Sequence, residues 1–233
     1  MKILAMIMAG AFALTSGHLW AASGAEDSIE RLQLSSDTLQ AMISAADKGI
    51  PEEVLNNAKC IVVIPHLVKG GFVIGGEHGR GVATCRTKEG WSAPAFVSIG
   101  GGSWGLQIGV EGVDLVMLVM NDHGLQHLLS SKFQVGADAS ASAGPVGRHA
   151  SAGTDRKMDS EILTYSRSKG VFAGISLDGA VVQQDEDSTR AIYGSHPTFH
   201  ALLSGEVPAP DSTLKFLKAI SEAAHTSAVA DAK

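Results

Sequence analysis

A chain of 233 residues has room for one domain, or one domain with a helical annex, and can bury a true core. Its 18 Lys and Arg against 24 Asp and Glu leave a formal charge of −6, which argues against a nucleic-acid binder. Gly is abundant at 27 residues while aromatics make up only 5%, as expected where backbones turn and pack closely.

Residues 1–22 have the layout of a targeting segment. Lys2 supplies the positive start, residues 3–14 are apolar, and small residues gather at Ala21, Ala22 and Ser23. This predicts a secretory signal peptide, too short for a membrane anchor, with no cysteine nearby to take a lipid. The mature chain is expected in the periplasm or outside the cell, with no transmembrane helix.

Residues 26–48 have helical spacing, with Ile29, Leu32, Leu39, Met42, Ile43 and Ala46 roughly on one stripe. Asp27 or Ser28 can cap the start, and Gly49 closes it. Such a face can pack on a sheet or enter lipid, and its acidic polar side favours the sheet. A short helix over PEEVLNNAK follows, with Pro51 in its first turn.

From Cys60 the pattern turns to β. Residues 60–64 predict a buried strand ended by Pro65, and 70–81 predict a hairpin leading into a strand over 82–86. Residues 91–121 form the centre, β-branched runs broken by Gly every few positions, which reads as consecutive strands with tight turns or bulges. Within them DLVMLVM, residues 114–120, is too short for a membrane span and reads as a strand buried on both faces. GGGSWG, residues 100–105, satisfies G-x-G-x-x-G, but LQIGVEGV after it offers no helix to meet a pyrophosphate. No dinucleotide site is expected.

Cys60 and Cys85 are the two cysteines, both in predicted strands of an exported chain. They read as a disulfide between neighbouring strands or as a pair of buried thiols. Neither has a His at ligand spacing, so they make no zinc site.

Downstream, DHGLQHLLSSK predicts a short helix with Leu125, Leu128 and Leu129 inward. His123 and His127 stand i, i+4 on it and, with no third ligand in the pattern, read as solvated histidines. Residues 133–144 predict a strand, 161–166 and 171–177 two strands around the turn SRSKG, and Asp178-Gly179 a turn into 180–184. Helices are predicted from Asp187 or Ser188 to Tyr193, from His196-Pro197 to about Gly205, and over 212–225. In the last, Leu214, Phe216, Leu217 and Ile220 are expected inward. Asp185, Glu186 and Asp187 lack the spacing of a calcium loop and suit a helix N-terminus. Ser176, in GISLDG, is no nucleophile elbow. The sequence carries no catalytic signature, and no metal or cofactor is expected.

The cations are few, so their placement matters. Lys69, Arg80, Arg86 and Lys88 flank the first hairpin's turns, Arg167 and Lys169 sit in SRSKG, and Lys48 and Lys59 lie near the N-terminal helix. Gathered at one end of the sheet they would form a basic patch for an anionic lipid surface, each worth about 1 kcal/mol. Dispersed, they are ordinary solvated turn residues.

Residues 50–194 also carry a family likeness. AKCIVVIPHLVKGGFVIGGEHGRGVATCR, GWSAPAFVSIGGGSWGLQIGVEGVDLVMLVMND, SKFQVGADASASAGPVGRHASAGTD and YSRSKGVFAGISLDGAVVQQDEDSTRAIYG, in that order, resemble the SYLF-domain family. That family includes bacterial exported proteins of the yeast actin-binding-domain type. The resemblance implies lipid binding, phosphoinositide recognition or actin binding in eukaryotic members, and no enzyme activity.

Together these readings predict an α+β fold, a Gly-rich, mainly antiparallel β core folded on itself with helices at both chain ends. Its divisions are a signal peptide over 1–22, an amphipathic helix over 23–49, a SYLF-type domain over 50–194 and a helical extension over 195–233. The expected function is non-catalytic binding of anionic phospholipid in a bacterial envelope, through Lys48, Lys59, Lys69, Arg80, Arg86, Arg167 and Lys169 and an apolar helix face or crevice. The alternative is a module that engages an envelope protein.

Overall fold

A mostly antiparallel, curled sheet forms the body of the chain, with helices from both ends of the sequence laid on it. The computed structural model describes residues 16–45, 49–72, 74–104, 109–146, 160–172 and 177–225. Lys48 and Ser176 lie outside these.

Helix α1 (Ser16–Ile43) is longer at its start than the spacing predicts and runs through the expected cleavage region. Its inward face also differs from the predicted stripe. Leu32, Leu39 and Met42 are buried, but Ile29 is 46% exposed, and Ser28, Arg31 and Ser35 are buried instead. Two of the buried hydroxyls bond back along the helix, Ser28 to the Gly24 carbonyl at 2.7 Å and Ser36 to that of Leu32 at 3.0 Å. Arg31 finds a carboxylate across the interface, Asp185. The helix thus packs its apolar residues on the sheet, and that face is not presented to lipid.

After α2 (Glu52–Asn57), N-capped by Pro51, strand β1 (Cys60–Phe72) runs straight past Pro65. A register shift against both neighbours, with His66 at φ 56°, absorbs the proline as a bulge. A residue without an N–H is tolerated there because the ladder is already interrupted. β2 (Ile74–Thr87) returns beside it, and Gly81 allows the close approach: a Cβ there would stand 2.8 Å from Ile64 Cγ1.

The remaining strands are β3 (Gly90–Trp91), β4 (Ala95–Trp104), β5 (Gly109–Val119), β6 (Lys132–Gln134), β7 (Ala141–Ala143), β8 (Ile162–Ser168), β9 (Val171–Phe172) and β10 (Val181–Gln184). The sheet order is β6-β10-β4-β2-β1-β5-β8-β7, with β3 on β2, β9 on β8, and β7 parallel to β8. The single strand expected over 133–144 is therefore two short edge strands, linked by a bridge between Val135 and Ala139. Strand β4 continues through GGGSW, so those glycines belong to a ladder. Cys60 and Cys85 face each other across β1 and β2 and are joined by a disulfide, Sγ–Sγ 2.04 Å.

The central strands are buried on both faces, as the DLVMLVM run predicts. Leu115, Met117 and Val119 enter one apolar cluster, Val116 and Leu118 the other. Leu128 of α3 (Asp122–Leu129) and Phe199, Leu202 and Leu203 of α5 (Phe199–Leu203) cover the first cluster. Leu32, Leu39 and Met42 of α1, with Phe216 and Ile220 of α6 (Leu214–His225), cover the second. Residues beyond 194 thus share both cores with the sheet. Leu214, expected inward, is 50% exposed. Helix α4 (Glu186–Tyr193) is capped by Asp185, two or three residues before the cap expected at Asp187 or Ser188. Among the described residues no helix is long and apolar enough to cross a membrane.

Candidate functional site

Four neighbouring strands, β4, β2, β1 and β5, run past both cores. Among the described residues the apolar clusters reach no further along them than Leu67, Val82, Ile99 and Leu115. Beyond that level the ladder is rich in glycine, with Val68, Lys69, Glu77, His78 and Glu111 set among the glycines. Gly70 faces Gly76, Gly76 faces Gly102, and Val68 faces Gly112. A Cβ built on Gly102 or Gly112 would meet nothing within 4 Å, whereas one on Gly101 would stand 3.0 Å from the Ala180 Cα, so packing leaves room at the first two positions only. At the rim the register sets Phe72 opposite Ile74, and Ile74 opposite Trp104, on three adjacent strands. Among the described residues this end of the sheet is rich in glycine, with the Lys69–Glu77 pair set into it.

The tip of the β8–β9 hairpin stands beside it. Arg167 pairs with Asp114, so the chain beyond Arg167 heads toward the level of Gly112. Lys169 and Gly170 are the two turn residues, with φ of 47° and 81°, the pair of positive values that a tight hairpin turn needs. Asn or Gly takes that conformation more easily, and a lysine there gives up about 1 kcal/mol. Lys169 is exposed, and Val171 next to the turn is 62% exposed.

The other predicted cations are dispersed and engaged. Lys69 Nζ lies 2.8 Å from Glu77 across β1 and β2, with Glu111 opposite on β5. Arg167 lies 3.6 Å from Asp114 and donates to the Ala41 carbonyl at 3.2 Å. Arg80, in mid-strand, is 3.9 Å from Asp185. Lys59 and Arg86 stand at the other end of β1 and β2, Lys59 2.8 Å from Asp122 and Arg86 donating to the Ala58 carbonyl at 2.9 Å. Of the seven, the structure brings Lys69, Arg167 and Lys169 toward the glycine-rich end. Sequence reading missed the rim of Phe72, Ile74 and Trp104. Its signal was the GGFVIGG tip itself, apolar where a hairpin turn is usually polar. Among the described residues, metal-ligating side chains converge at His123, His127 and Glu161, at the opposite end of β5.

Comparison with known proteins identifies the lineage. A family described as "Ysc84: Las17-binding protein actin regulator" matches residues 100–223. Protein YSC84 of Saccharomyces cerevisiae is 35% identical over 183 residues, 76% of this chain and 39% of its own length. The chain belongs to the Ysc84 family. LAS seventeen-binding protein 3 of the same yeast is 33% identical over 183 residues, 76% of this chain and 40% of that protein. SH3 domain-containing YSC84-like protein 1 of Homo sapiens is 30% identical over 166 residues, 70% and 48% of the two chains. The chain thus spans less than half the length of these Ysc84 relatives. The family description speaks of binding and regulation, and neither it nor these names mention a reaction.

Proposed function

We propose that this Ysc84-family chain is a non-catalytic binding module that docks the glycine-rich end of its sheet on an anionic phospholipid surface. The observation that carries the reading is the set of four strands that outrun both cores, three of them with Phe72, Ile74 and Trp104 at their ends. Tryptophan suits the boundary between head groups and acyl chains, since its ring is apolar and its N–H can stay wet. Lys169 adds a cation at the neighbouring tip, with Val171 exposed beside it. Because Lys69 and Arg167 are matched by Glu77 and Asp114, the apolar rim supplies more of the attachment than charge does. The expected secretory segment over 1–22 would put this contact in a bacterial envelope.

Co-sedimentation with vesicles of phosphatidylcholine alone, or with phosphatidylglycerol added, tests this. The full chain is expected to pellet with the anionic vesicles and to release partly as salt rises. Trp104→Ser and Phe72→Ser, compared with the wild type below each variant's melt, should each weaken binding several-fold, and Lys169→Glu should weaken it for anionic vesicles only. No binding, or variants that pellet like the wild type, would remove the lipid reading.

The family description favours a second reading, a protein partner on the same surface. The edge strands β6 and β7 have three residues each, a poor template for strand addition by such a partner. A photo-reactive side chain at Trp104 distinguishes the two, capturing an envelope or actin-like protein in one case and lipid in the other.

A further inference from the structure

Helix α3 starts where β5 ends, and its histidines face the residue just before β8. The Met120 N–H donates to the Glu161 carbonyl at 2.9 Å and holds residue 161 against the helix's first turn. Gly124 permits that approach, since a Cβ there would stand 2.9 Å from the same carbonyl oxygen. The Glu161 side chain therefore lies beside His123 and His127, with 38 residues of sequence separating it from His123. One ring nitrogen of each histidine and one carboxylate oxygen lie within 4.8 Å of one another.

Each member is arranged as a ligand would be. His127 Nε2 is buried and has no hydrogen-bond partner, an unusual state for a ring nitrogen. Glu161 Oε2 accepts from the Ser140 N–H at 2.7 Å, which fixes the carboxylate and leaves Oε1 against His123 Nδ1. An outer hydrogen bond of this sort is how ligating carboxylates are oriented. The two rings meet edge to face, centroids 4.6 Å apart, and are not stacked on each other. Two imidazoles and one carboxylate suit zinc or a similar divalent transition ion, whereas calcium and magnesium prefer oxygen alone.

We propose that His123, His127 and Glu161 form a three-ligand site for a divalent transition-metal ion of the zinc type, with its fourth position open to solvent beside His123. The His123 side chain is 64% exposed and that of Glu161 15%, so the site opens on one side only. A tetrahedral zinc shell spaces its ligand atoms about 3.3 Å apart, so the widest pair must close by about 1.5 Å at most while His123 draws back slightly from the Glu161 oxygen it touches, within reach of side-chain rotation. The bound ion would pin α3 to the start of β8. This site is independent of the lipid-facing end and stands or falls without it.

The test is zinc titration of the untagged full chain by calorimetry, with histidine ring signals followed by NMR. One equivalent should bind with a dissociation constant of about 1 μM or tighter, and the shifted ring signals should be those of His123 and His127. Glu161→Gln and His127→Gln should each weaken uptake at least about tenfold. His123→Gln, which removes an exposed ligand without touching the core, should do the same with an unchanged circular dichroism spectrum. His200→Gln, on α5, should bind like the wild type. Absence of uptake at about 100 μM zinc, uptake unaffected by His123→Gln and Glu161→Gln, or shifts at other histidines would overturn the proposal.

Discussion

Arg31 Nη1 and Asp185 Oδ2 meet at 3.0 Å across 154 residues of sequence, with both side chains about nine-tenths buried. The same guanidinium donates to Ser188 Oγ at 2.9 Å and lies 5.7 Å from the centre of the Phe96 ring. Asp185 in turn caps α4 by accepting from the Ser188 N–H at 3.1 Å. One pair thus fastens the first helix to the fourth over strand β4. Removing either partner strands a buried charge, which costs about 3 kcal/mol. Arg31→Ala and Asp185→Ala should each lower urea stability by about that amount, and the double variant should lose clearly less than the sum. Strict additivity would mean the two side chains are not coupled.

Acid should reveal the same carboxylate. Burial pushes the Asp185 carboxyl up, but the Ser188 N–H and hydroxyl, with Arg31 and Arg80, outweigh it and hold the group below its ordinary value. The folded chain therefore binds this proton less readily than the unfolded one. The stability this contributes is complete above the unfolded value of about 4 and is lost as pH falls through the lower folded one. Glu161 shifts in the same direction. Urea midpoints are expected to change little on this account between pH 7 and about 5, then to fall below about 4. Asp185→Asn should flatten part of that fall, and an unchanged acid slope in this variant would take Asp185 out of the account.

Two glycines should respond in opposite ways to the same substitution. A Cβ on Gly144 would stand 2.5 Å from Tyr165 Oη, and Tyr165 is a buried ring whose phenol burial pushes up. Gly144→Ala should cost about 1–3 kcal/mol as the ring is forced aside. Gly112 borders open space, so Gly112→Ala should leave stability unchanged or raise it by up to about 1 kcal/mol through the unfolded chain. Thermal melts of the pair decide this, and equal losses at both sites would contradict the open space beside Gly112.

Much of the scaffold was legible because its signals are local. DLVMLVM reads as a strand with two apolar faces, and it divides between two cores. SRSKG reads as a tight turn and holds positive φ at Lys169 and Gly170. What stayed hidden depends on residues far apart in the chain. Pro65 reads as a stop, and only the shifted register against β2 and β5 makes it a bulge. Ile29 fits the apolar stripe of α1 better than Arg31 does, until Asp185 arrives to accept the buried charge. The cations read as a patch because a sequence does not state that Lys69 will face Glu77, or Arg167 Asp114. His123 and His127 lacked a third ligand for the same reason, since Glu161 reaches them through the pairing of β5 with β8.

The crosslink between Cys60 and Cys85 should matter for stability and not for surface attachment. It closes a loop of 25 residues, and in the chain-entropy account a loop of that length stabilises by about 3.5 kcal/mol. Both sulfurs are in buried residues at the base of β1 and β2, where the Arg86 N–H donates to the Lys59 carbonyl at 2.7 Å. The Arg86 guanidinium lies 4.4 Å from the centre of the Trp91 ring and donates to the Leu55 carbonyl at 3.4 Å, so the end of α2 is tied to the same point. The Cys60→Ala, Cys85→Ala double variant should lose about 2–4 kcal/mol in urea. Arg86→Ala should add about 1 kcal/mol to the loss by removing the donor to the Ala58 carbonyl. The glycine-rich end lies at the far end of the same strands, so vesicle binding by the double variant should match the wild type wherever both are folded. A binding loss that tracks the disulfide at temperatures below the melt would place the contact surface beside Cys60, against the rim of Phe72, Ile74 and Trp104.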